Sequence, residues 1–414
     1  MESFFSLLLS DENLAATLAT VLDGGVFTAQ VGQCARERGI ALSPDAVMLD
    51  ARSDPLGLSR WSPPPLAGSN LPPRHWLPVA VAAGPEGAVV DWAWFGPQPL
   101  RASFYEMEIQ RALGLPFNRA FRYRTGFHDL VTQIEVVDAL KPDGFIFHMS
   151  RCGSTLVAQM LAALADSIVI SEAAPLDAVV QLCRGLPDAD AVAALRAIVA
   201  ALGRKRSGHE RRLFVKLDPW HTLSLPLFRR AFPHVPWVFL YREPVEVLVS
   251  QMRQRGVQMV QQYFPPRFFG IEDAALPADE EYCARVLGAI CQAAIDHHGH
   301  GGGLLLDYRD LPAAVFTSLL PHFGVSCDET ERETMRGVAR LDAKSPITPF
   351  TADAAAKRRE ATEKVRRAAD RHLAAIYRRL EELRAGHRAD LAGGEVMDTV
   401  RPGPRSIADM ASAQ

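Results

Sequence analysis

The densest group of side chains that could do chemistry lies at residues 150–155, which read Ser-Arg-Cys-Gly-Ser-Thr. An apolar run typical of a β-strand (144–149) precedes it, and a helical pattern (156–164) follows it. A glycine, hydroxyls and an arginine at the start of a helix offer backbone and side-chain donors to an anion. The pattern therefore predicts a phosphate-binding loop. Its predicted contact residues are Arg151, Cys152, Gly153, Ser154 and Thr155.

The same loop departs from that of nucleoside-triphosphate-binding proteins. In those proteins a lysine follows the last glycine and reaches the β- and γ-phosphates. Here Ser154 follows Gly153, and His148 stands where the first glycine is expected. The loop therefore indicates a phosphate ligand other than Mg-ATP.

A second anion site is indicated at residues 237–250, which again read as strand, turn and helix. Pro244 suits the first position of a helix. Arg242 lies at the end of the strand, and Ser250 lies about two helical turns further on. An arginine and a hydroxyl in this arrangement are suited to a second phosphate.

With these two sites, the chain resembles the sulfotransferases that use 3′-phosphoadenosine-5′-phosphosulfate (PAPS). The loop at 150–156 is similar to the family's 5′-phosphosulfate loop, and Arg242 with Ser250 matches its 3′-phosphate pair. Residues 214–219 and 304–312 resemble its lysine strand and a late strand and turn. The resemblance implies transfer of a sulfuryl group from PAPS to an acceptor hydroxyl, with adenosine 3′,5′-bisphosphate (PAP) as product and no metal.

The resemblance also implies the roles of three residues. Lys216 is the cation for the bridging or sulfuryl oxygens. Glu172, just after the second strand, matches the glutamate base of many sulfotransferases, while Asp218 stands where the cytosolic small-molecule branch has a histidine base. We rank Glu172 ahead of Asp218 and leave the choice open. His148 and His221 are predicted to be structural.

Two alternatives remain. One is an atypical phosphate-loop kinase, against which the missing lysine and the Arg242–Ser250 pair argue. The other is a non-catalytic binding protein that has kept the fold and recruits a partner through its N-terminus.

Composition narrows the classes further. The 414 residues carry a formal net charge of −3, which excludes a global basic field for nucleic acid. No apolar run approaches the ~18 residues of a membrane span, and no signal peptide is evident, so we expect a cytoplasmic protein. Six cysteines without a C-x-x-C pair fit reduced thiols. An excess of arginine over lysine suggests a bacterial, GC-rich genome.

The strands that must position these residues are apolar and alternate with helical patterns, which predicts an α/β fold with a central parallel sheet flanked by helices. Such a sheet gathers its ligands at the carboxyl ends of its strands. The predicted strands are 144–149, 167–171, 213–217, 237–241 and 303–307.

Five segments are predicted along the chain: a small helical module (1–50), a linker with an accessory mixed segment (51–135), the sulfotransferase-like core (136–345), a long C-terminal helix (346–388) and a loose tail (389–414). The first segment loosely resembles the short helical leader domains associated with nitrogen fixation. The Pro/Ser/Gly-rich linker predicts that it docks weakly on the core. The long helix is predicted to be solvated or to form a homodimer contact, and the acceptor to be a small molecule or a peptide.

Overall fold

The computed structural model describes residues 2–42, 66–261, 263–272, 277–351 and 353–394. Most of the predicted Pro/Ser/Gly-rich linker (about residues 53–73) lies outside these ranges, and so does the predicted tail beyond residue 394.

Three short helices form the N-terminal part. They are α1 (Glu2–Ser10), α2 (Glu12–Ala19) and α3 (Gly24–Glu37). Asp11 and Asp23 begin α2 and α3 as N-caps, each accepting a hydrogen bond of 2.9 Å from a backbone N–H. The ring of Phe5 lies 5.6 Å from that of Phe121 and 6.0 Å from that of Trp76. These helices bury their aromatic side chains against the accessory segment, the next along the chain, and the prediction of weak docking on the core stays a prediction.

That next segment is a small sheet with helices. Its elements are β1 (Leu66–Ala67), β2 (Trp76–Gly84), β3 (Gly87–Trp94), α4 (Tyr105–Gly114), α5 (Pro116–Ala120), β4 (Tyr123–Gly126) and α6 (Phe127–Gln133). The strand order is β1-β4-β3-β2, with β1 parallel to β4 and the other pairs antiparallel.

Two buried arginines tie this accessory sheet to the core. Arg204 donates to the carbonyl oxygens of Pro72 (2.9 Å) and Trp76 (3.2 Å). Arg206 donates to the carbonyl oxygen of Gln98 (2.7 Å). Backbone carbonyls are uncharged, so burial lowers the pKa of Arg204 to about 10. These hydrogen bonds join the accessory segment to the loop that precedes the core strand Arg212–Lys216.

The core sheet has five parallel strands in the order β6-β7-β5-β8-β9. Its elements are β5 (Gly144–His148), α7 (Ser154–Ala162), β6 (Ser167–Ser171), α8 (Ala174–Cys183), α9 (Asp188–Leu202), β7 (Arg212–Lys216), α10 (Leu225–Ala231), β8 (Trp237–Tyr241), α11 (Pro244–Arg253), α12 (Asp279–His297) and β9 (Gly303–Asp307). Almost every strand residue is buried, as expected of strands covered on both faces. The predicted fold class is confirmed.

The C-terminal part corrects the prediction of one long helix over 346–388. It contains α13 (Leu320–His322), α14 (Glu329–Ala339), a hairpin of β10 (Leu341–Asp342) and β11 (Ser345–Pro349), and then α15 (Ala354–Glu360), α16 (Glu363–His372) and α17 (Ala374–Gly394). Residues 361–362 interrupt the helical pattern because Thr362 leaves the helical conformation and caps α16 (3.2 Å to Val365 N).

The prediction that the C-terminal helical region is solvated is also partly wrong. Val365, Ala368 and Ala369 of α16 are each at most 3% exposed. A Cβ placed at Gly288 of α12 would lie 3.3 Å from the carbonyl oxygen of His372, so the two helices approach closely at this glycine. Among the described helices, none is long and apolar enough to cross a membrane.

Candidate active site

The loop after β5 adopts a backbone that few residues tolerate. Ser150 (φ 80°) and Arg151 (φ 53°) lie in the left-handed region together with Gly153 (φ 84°). Such conformations cost about 1–3 kcal/mol for each non-glycine residue and cluster at functional sites. No side chain caps the N-terminus of α7 at Gly153, so its first N–H groups are available to an anion.

Gly153 itself has no room for a side chain. A Cβ there would lie 2.8 Å from Leu311 Cδ1 and 2.9 Å from Tyr308 Cδ2. Glycine is therefore required here for two reasons, the positive φ and the close approach of the segment that follows β9.

A cleft of about 230 Å³ opens on this loop at the carboxyl ends of β5, β6 and β7. Its wall contains the predicted residues Arg151, Cys152, Gly153, Ser154, Thr155, Glu172 and Asp218. The other lining residues are Phe104, His148, Ser150, Pro219, Trp220, Gly256, Val257, Gln258 and Lys344. The loop and both candidate bases thus share one cleft.

Lys216 lies behind the cleft wall with no solvent exposure, and its amine contacts the Glu172 carboxylate. Burial by itself would raise the pKa of Glu172, but the Lys216 charge and the hydrogen bond from His148 outweigh it and hold that pKa well below the usual range. Glu172 also has a left-handed backbone (φ 50°), and its N–H donates to the Lys216 carbonyl oxygen (2.8 Å). Glu172 and Lys216 therefore form a fixed ion pair.

His148 belongs to the site, although it was predicted to be structural only. The Ser150 N–H donates to its Nδ1 (3.1 Å), so Nε2 carries the proton and donates to the Leu217 carbonyl oxygen (2.9 Å). Nε2 also lies 3.3 Å from Glu172 Oε1. Burial lowers the pKa of His148, which keeps the ring neutral. Its position as the last residue of β5, directly before the loop, was the available sequence signal.

The pKa of Asp218 is shifted in the opposite direction to that of Glu172. Burial raises its pKa well above the usual range, and the negative charges of Glu172 and Asp177 raise it further. Two carboxyl groups in one cleft therefore have pKa values shifted in opposite directions, an arrangement typical of acid–base sites.

Asp177, Asp218 and His221 are close enough to be tested as metal ligands, since one ligand atom of each lies within 4.8 Å of the others. Asp177 Oδ1, however, accepts hydrogen bonds from Trp220 Nε1 (2.7 Å) and His221 Nε2 (2.8 Å). These hydrogen bonds engage Asp177 Oδ1 and His221 Nε2, one ligand atom of each of two residues of the cluster. The cluster fits a network that orients Trp220 better than it fits a metal centre.

Arg242 lies away from the cleft lining and is 4% exposed. Its Nε donates to Glu246 Oε2 (2.7 Å), its Nη2 donates to Asp353 Oδ1 (3.1 Å), and its guanidinium lies 3.9 Å from the ring centre of Tyr308. Lys357 Nζ is 2.7 Å from the second Asp353 oxygen. At the predicted 3′-phosphate site, Arg242 is thus paired with two carboxylates.

Ser250, the predicted partner of Arg242, is half-buried on α11, one turn after Glu246. Arg358 Nε donates to Glu246 Oε1 (2.8 Å). The structure therefore places Arg242, Ser250 and two basic residues of α15 around one region of α11, outside the cleft.

The β10–β11 hairpin brings Lys344 to the cleft. Its turn is held by Ser103 Oγ, which donates to the Ala343 carbonyl oxygen (2.6 Å), while Ser171 Oγ donates to the Ser103 carbonyl oxygen (3.0 Å). Partial desolvation at the cleft and the nearby positive charge of Arg151 lower the pKa of the Lys344 amine, although the residue as a whole is exposed. No local pattern in the sequence shows that this turn reaches the cleft.

Cys152 is fully buried, and its Sγ lies 3.2 Å from the Leu240 carbonyl oxygen. Burial raises the pKa of this thiol to about 11. A thiol of this kind is unreactive, and only the backbone of Cys152 is suited to an anion.

No protein-family model matches the chain, and none of the curated proteins matches it in sequence. Similar solved structures include the sulfotransferase domain from the curacin biosynthetic pathway (16% identity, TM-score 0.36, covering 56% of this chain and 98% of that one). Others are sulfotransferase STF1 from Mycobacterium tuberculosis H37Rv (15%, 0.33, 50% and 73%) and mouse sulfotransferase SULT7A1 complexed with PAP (11%, 0.33, 61% and 93%). With TM-scores below 0.5, these likenesses leave the activity to be argued from the site itself.

Proposed function

We propose that this protein is a sulfotransferase that moves a sulfuryl group from PAPS to an acceptor hydroxyl. One observation carries the proposal. A single cleft joins a helix-terminal anion loop and two carboxyl groups whose pKa values are shifted in opposite directions, with a buried lysine behind its wall. This set supplies anion binding and proton removal, which are the two tasks of the reaction.

In this proposal the donor's phosphosulfate binds at residues 150–155. The N–H groups at the start of α7, the Ser154 and Thr155 hydroxyls and the Arg151 guanidinium donate to its oxygens. Lys344 adds positive charge in the cleft lining, and Lys216 adds positive charge from behind the cleft wall. These cations stabilise the charge that develops on the leaving phosphate oxygen, as in other group transfers of this kind.

We propose Asp218, rather than Glu172, as the general base. A carboxylate whose pKa is raised accepts a proton more readily than one whose pKa is lowered. The acceptor oxygen forms a bond to sulfur as the bond from sulfur to the phosphate oxygen breaks. The hydroxyl proton moves to Asp218, and PAP leaves with the bonding electrons. We assign Glu172 a positioning role: its carboxylate contacts the amine of Lys216 and accepts from Nε2 of His148.

The test combines binding with transfer. Purified full-length protein should be stabilised in a thermal-shift assay by PAP more than by AMP or by Mg-ATP, and it should transfer ³⁵S from labelled PAPS to members of a broad panel of hydroxyl compounds and peptides. Greater stabilisation by Mg-ATP than by PAP would favour the kinase alternative. Stabilisation by PAP without label transfer across the panel would favour a non-catalytic binding protein.

A further inference from the structure

The segment after α11 carries one side chain that the proposed chemistry leaves unused. Gln258 lies in a short 3₁₀ helix (Val257–Met259), is 2% exposed and lines the cleft. Its amide Nε2 is buried and has no hydrogen-bond partner. A buried donor without an acceptor costs about 1–3 kcal/mol, so such a group in a cleft indicates a ligand atom.

The position of Gln258 is fixed by its neighbours. Gln251, which is fully buried, donates from Nε2 to Ser150 Oγ (3.0 Å) and accepts at Oε1 from the Gly256 N–H (2.9 Å). This one side chain therefore joins the anion loop to the start of the 256–260 segment. A Cβ at Gly256 would lie 2.5 Å from Gln258 Oε1, so the amide packs directly on the glycine.

The surroundings indicate an acceptor rather than the nucleotide. Val257 and Val260 on the same segment are 45% and 46% exposed, and Tyr263 is 60% exposed. The ring of Tyr263 lies 5.1 Å from that of Phe264, which lies 5.1 Å from that of Trp220 in the cleft. A continuous series of aromatic rings therefore extends from the exposed Tyr263 to Trp220 in the cleft wall, near Asp218.

We infer that Gln258 selects the acceptor by donating a hydrogen bond to a neutral oxygen, a carbonyl or an ether, on an otherwise apolar hydroxyl compound. This inference rests on the proposed function. A neutral oxygen fits because Asp218, Glu172 and Asp177 make that side of the cleft unfavourable for an anion.

The test uses matched probes that differ in one oxygen: 3-methoxyphenol against 3-ethylphenol, and 3-methoxycyclohexanol against 3-ethylcyclohexanol. Kd is measured by calorimetry on the full-length protein saturated with PAP. We expect each methoxy compound to bind about five- to tenfold more tightly than its ethyl partner, the worth of one neutral hydrogen bond. Gln258→Met should remove that preference and leave the Kd for PAP unchanged.

Two further variants sharpen the test. Gly256→Ala keeps Gln258 but displaces its amide, and we expect it to weaken the preference; its φ of −70° makes alanine acceptable to the backbone. Gln261→Met is the control, because Gln261 Nε2 already donates to the Pro277 carbonyl oxygen (2.9 Å) outside the cleft. Equal Kd values in the wild type, no binding of either probe, or a loss of PAP affinity in Gln258→Met would overturn the inference. Lack of PAP stabilisation in the wild type would instead defeat the proposed function.

Discussion

The two predicted anion sites reach very different states in the folded protein. At residues 150–155 the helix terminus opens into a cleft, and no side chain caps its first N–H groups. At Arg242 the guanidinium is buried and bound by Glu246 and Asp353. The first site is ready for an anion, while the second already holds carboxylates.

The difference shows how a protein can hold a cationic site before its ligand arrives. A buried arginine without an anion would be costly, and carboxylates remove that cost. Glu246 lies in the first turn of α11, four residues after Arg242, but Asp353 comes from the segment between the hairpin and α15. A phosphate at Arg242 must therefore compete with Asp353. Among the described residues, no carboxylate is hydrogen-bonded to the loop at 150–155, where Arg151 donates to the Gln254 carbonyl oxygen (2.6 Å).

The largest expected effect is on catalysis in the cleft that contains the loop at 150–155. Asp218→Asn should lower kcat by about 10²–10⁴ if Asp218 is the base, because a proton acceptor is lost. The Kd for PAP should stay nearly unchanged. Steady-state kinetics with labelled PAPS and titration with PAP check this, and a larger loss of kcat in Glu172→Gln would return the base to Glu172.

The same variant has an expected effect on stability and on pH dependence. The folded pKa of Asp218 is raised, so its contribution to stability falls as pH rises from the ordinary aspartate pKa to the folded pKa, and above the folded pKa the native state carries the full cost of a buried anion. Asp218→Asn should therefore raise Tm at pH 8, with the gain disappearing near pH 4. In the wild type, kcat should fall as pH drops through the raised pKa. A Tm at pH 8 that falls on mutation would contradict this assignment.

Glu172→Gln should mainly lower stability, because it leaves the fully buried Lys216 without its anion. We expect a loss of about 3 kcal/mol at pH 7, the lower end for a broken buried pair, since 23% of the Glu172 side chain is exposed. The lowered pKa of Glu172 means that its contribution is present above the ordinary glutamate range and lost as pH falls through the folded pKa. Urea denaturation at pH 7 and pH 3 should show the difference between variant and wild type narrowing in acid.

Asp353→Asn tests the predicted 3′-phosphate site at Arg242. It removes the competitor at Arg242 and should tighten PAP binding by up to about tenfold, the order of one charge-assisted hydrogen bond. AMP, which lacks the 3′-phosphate, should bind as before. Glu360→Gln, whose carboxylate pairs with Arg253 on the surface, is the matched control. If PAP and AMP affinities rise together, or neither rises, Arg242 does not bind the 3′-phosphate.

The smallest effect is expected at Cys152. Because its thiol is buried and its pKa is raised to about 11, iodoacetamide at pH 7.5 should leave it unmodified in the native protein. Mass spectrometry should find label first at the half-buried Cys34 and Cys327. Rapid labelling of Cys152 that PAP prevents would show that the loop opens more than the structure indicates.

The sequence alone determined the five core strands and the loop that follows the first of them. Each strand is a nearly continuous apolar run, and such runs report burial in a parallel sheet without knowledge of distant residues. Because parallel strands bring their carboxyl ends to one edge, the sequence also placed Glu172 and Asp218 near the loop. The break at Thr362 carried a local capping signal that could have been read.

Only the tertiary structure decided which charges pair. Lys216 meets Glu172 across 44 residues, and Arg242 meets Asp353 across 111 residues. The same holds for Lys344, which a hairpin turn held by Ser103 brings to the cleft. Pairings of this kind depend on how separate segments pack, and the pKa values of both carboxyl groups follow from that packing. A residue's type fixes which charge it can carry, but its folded neighbours fix which charge it holds and whether a ligand can reach it.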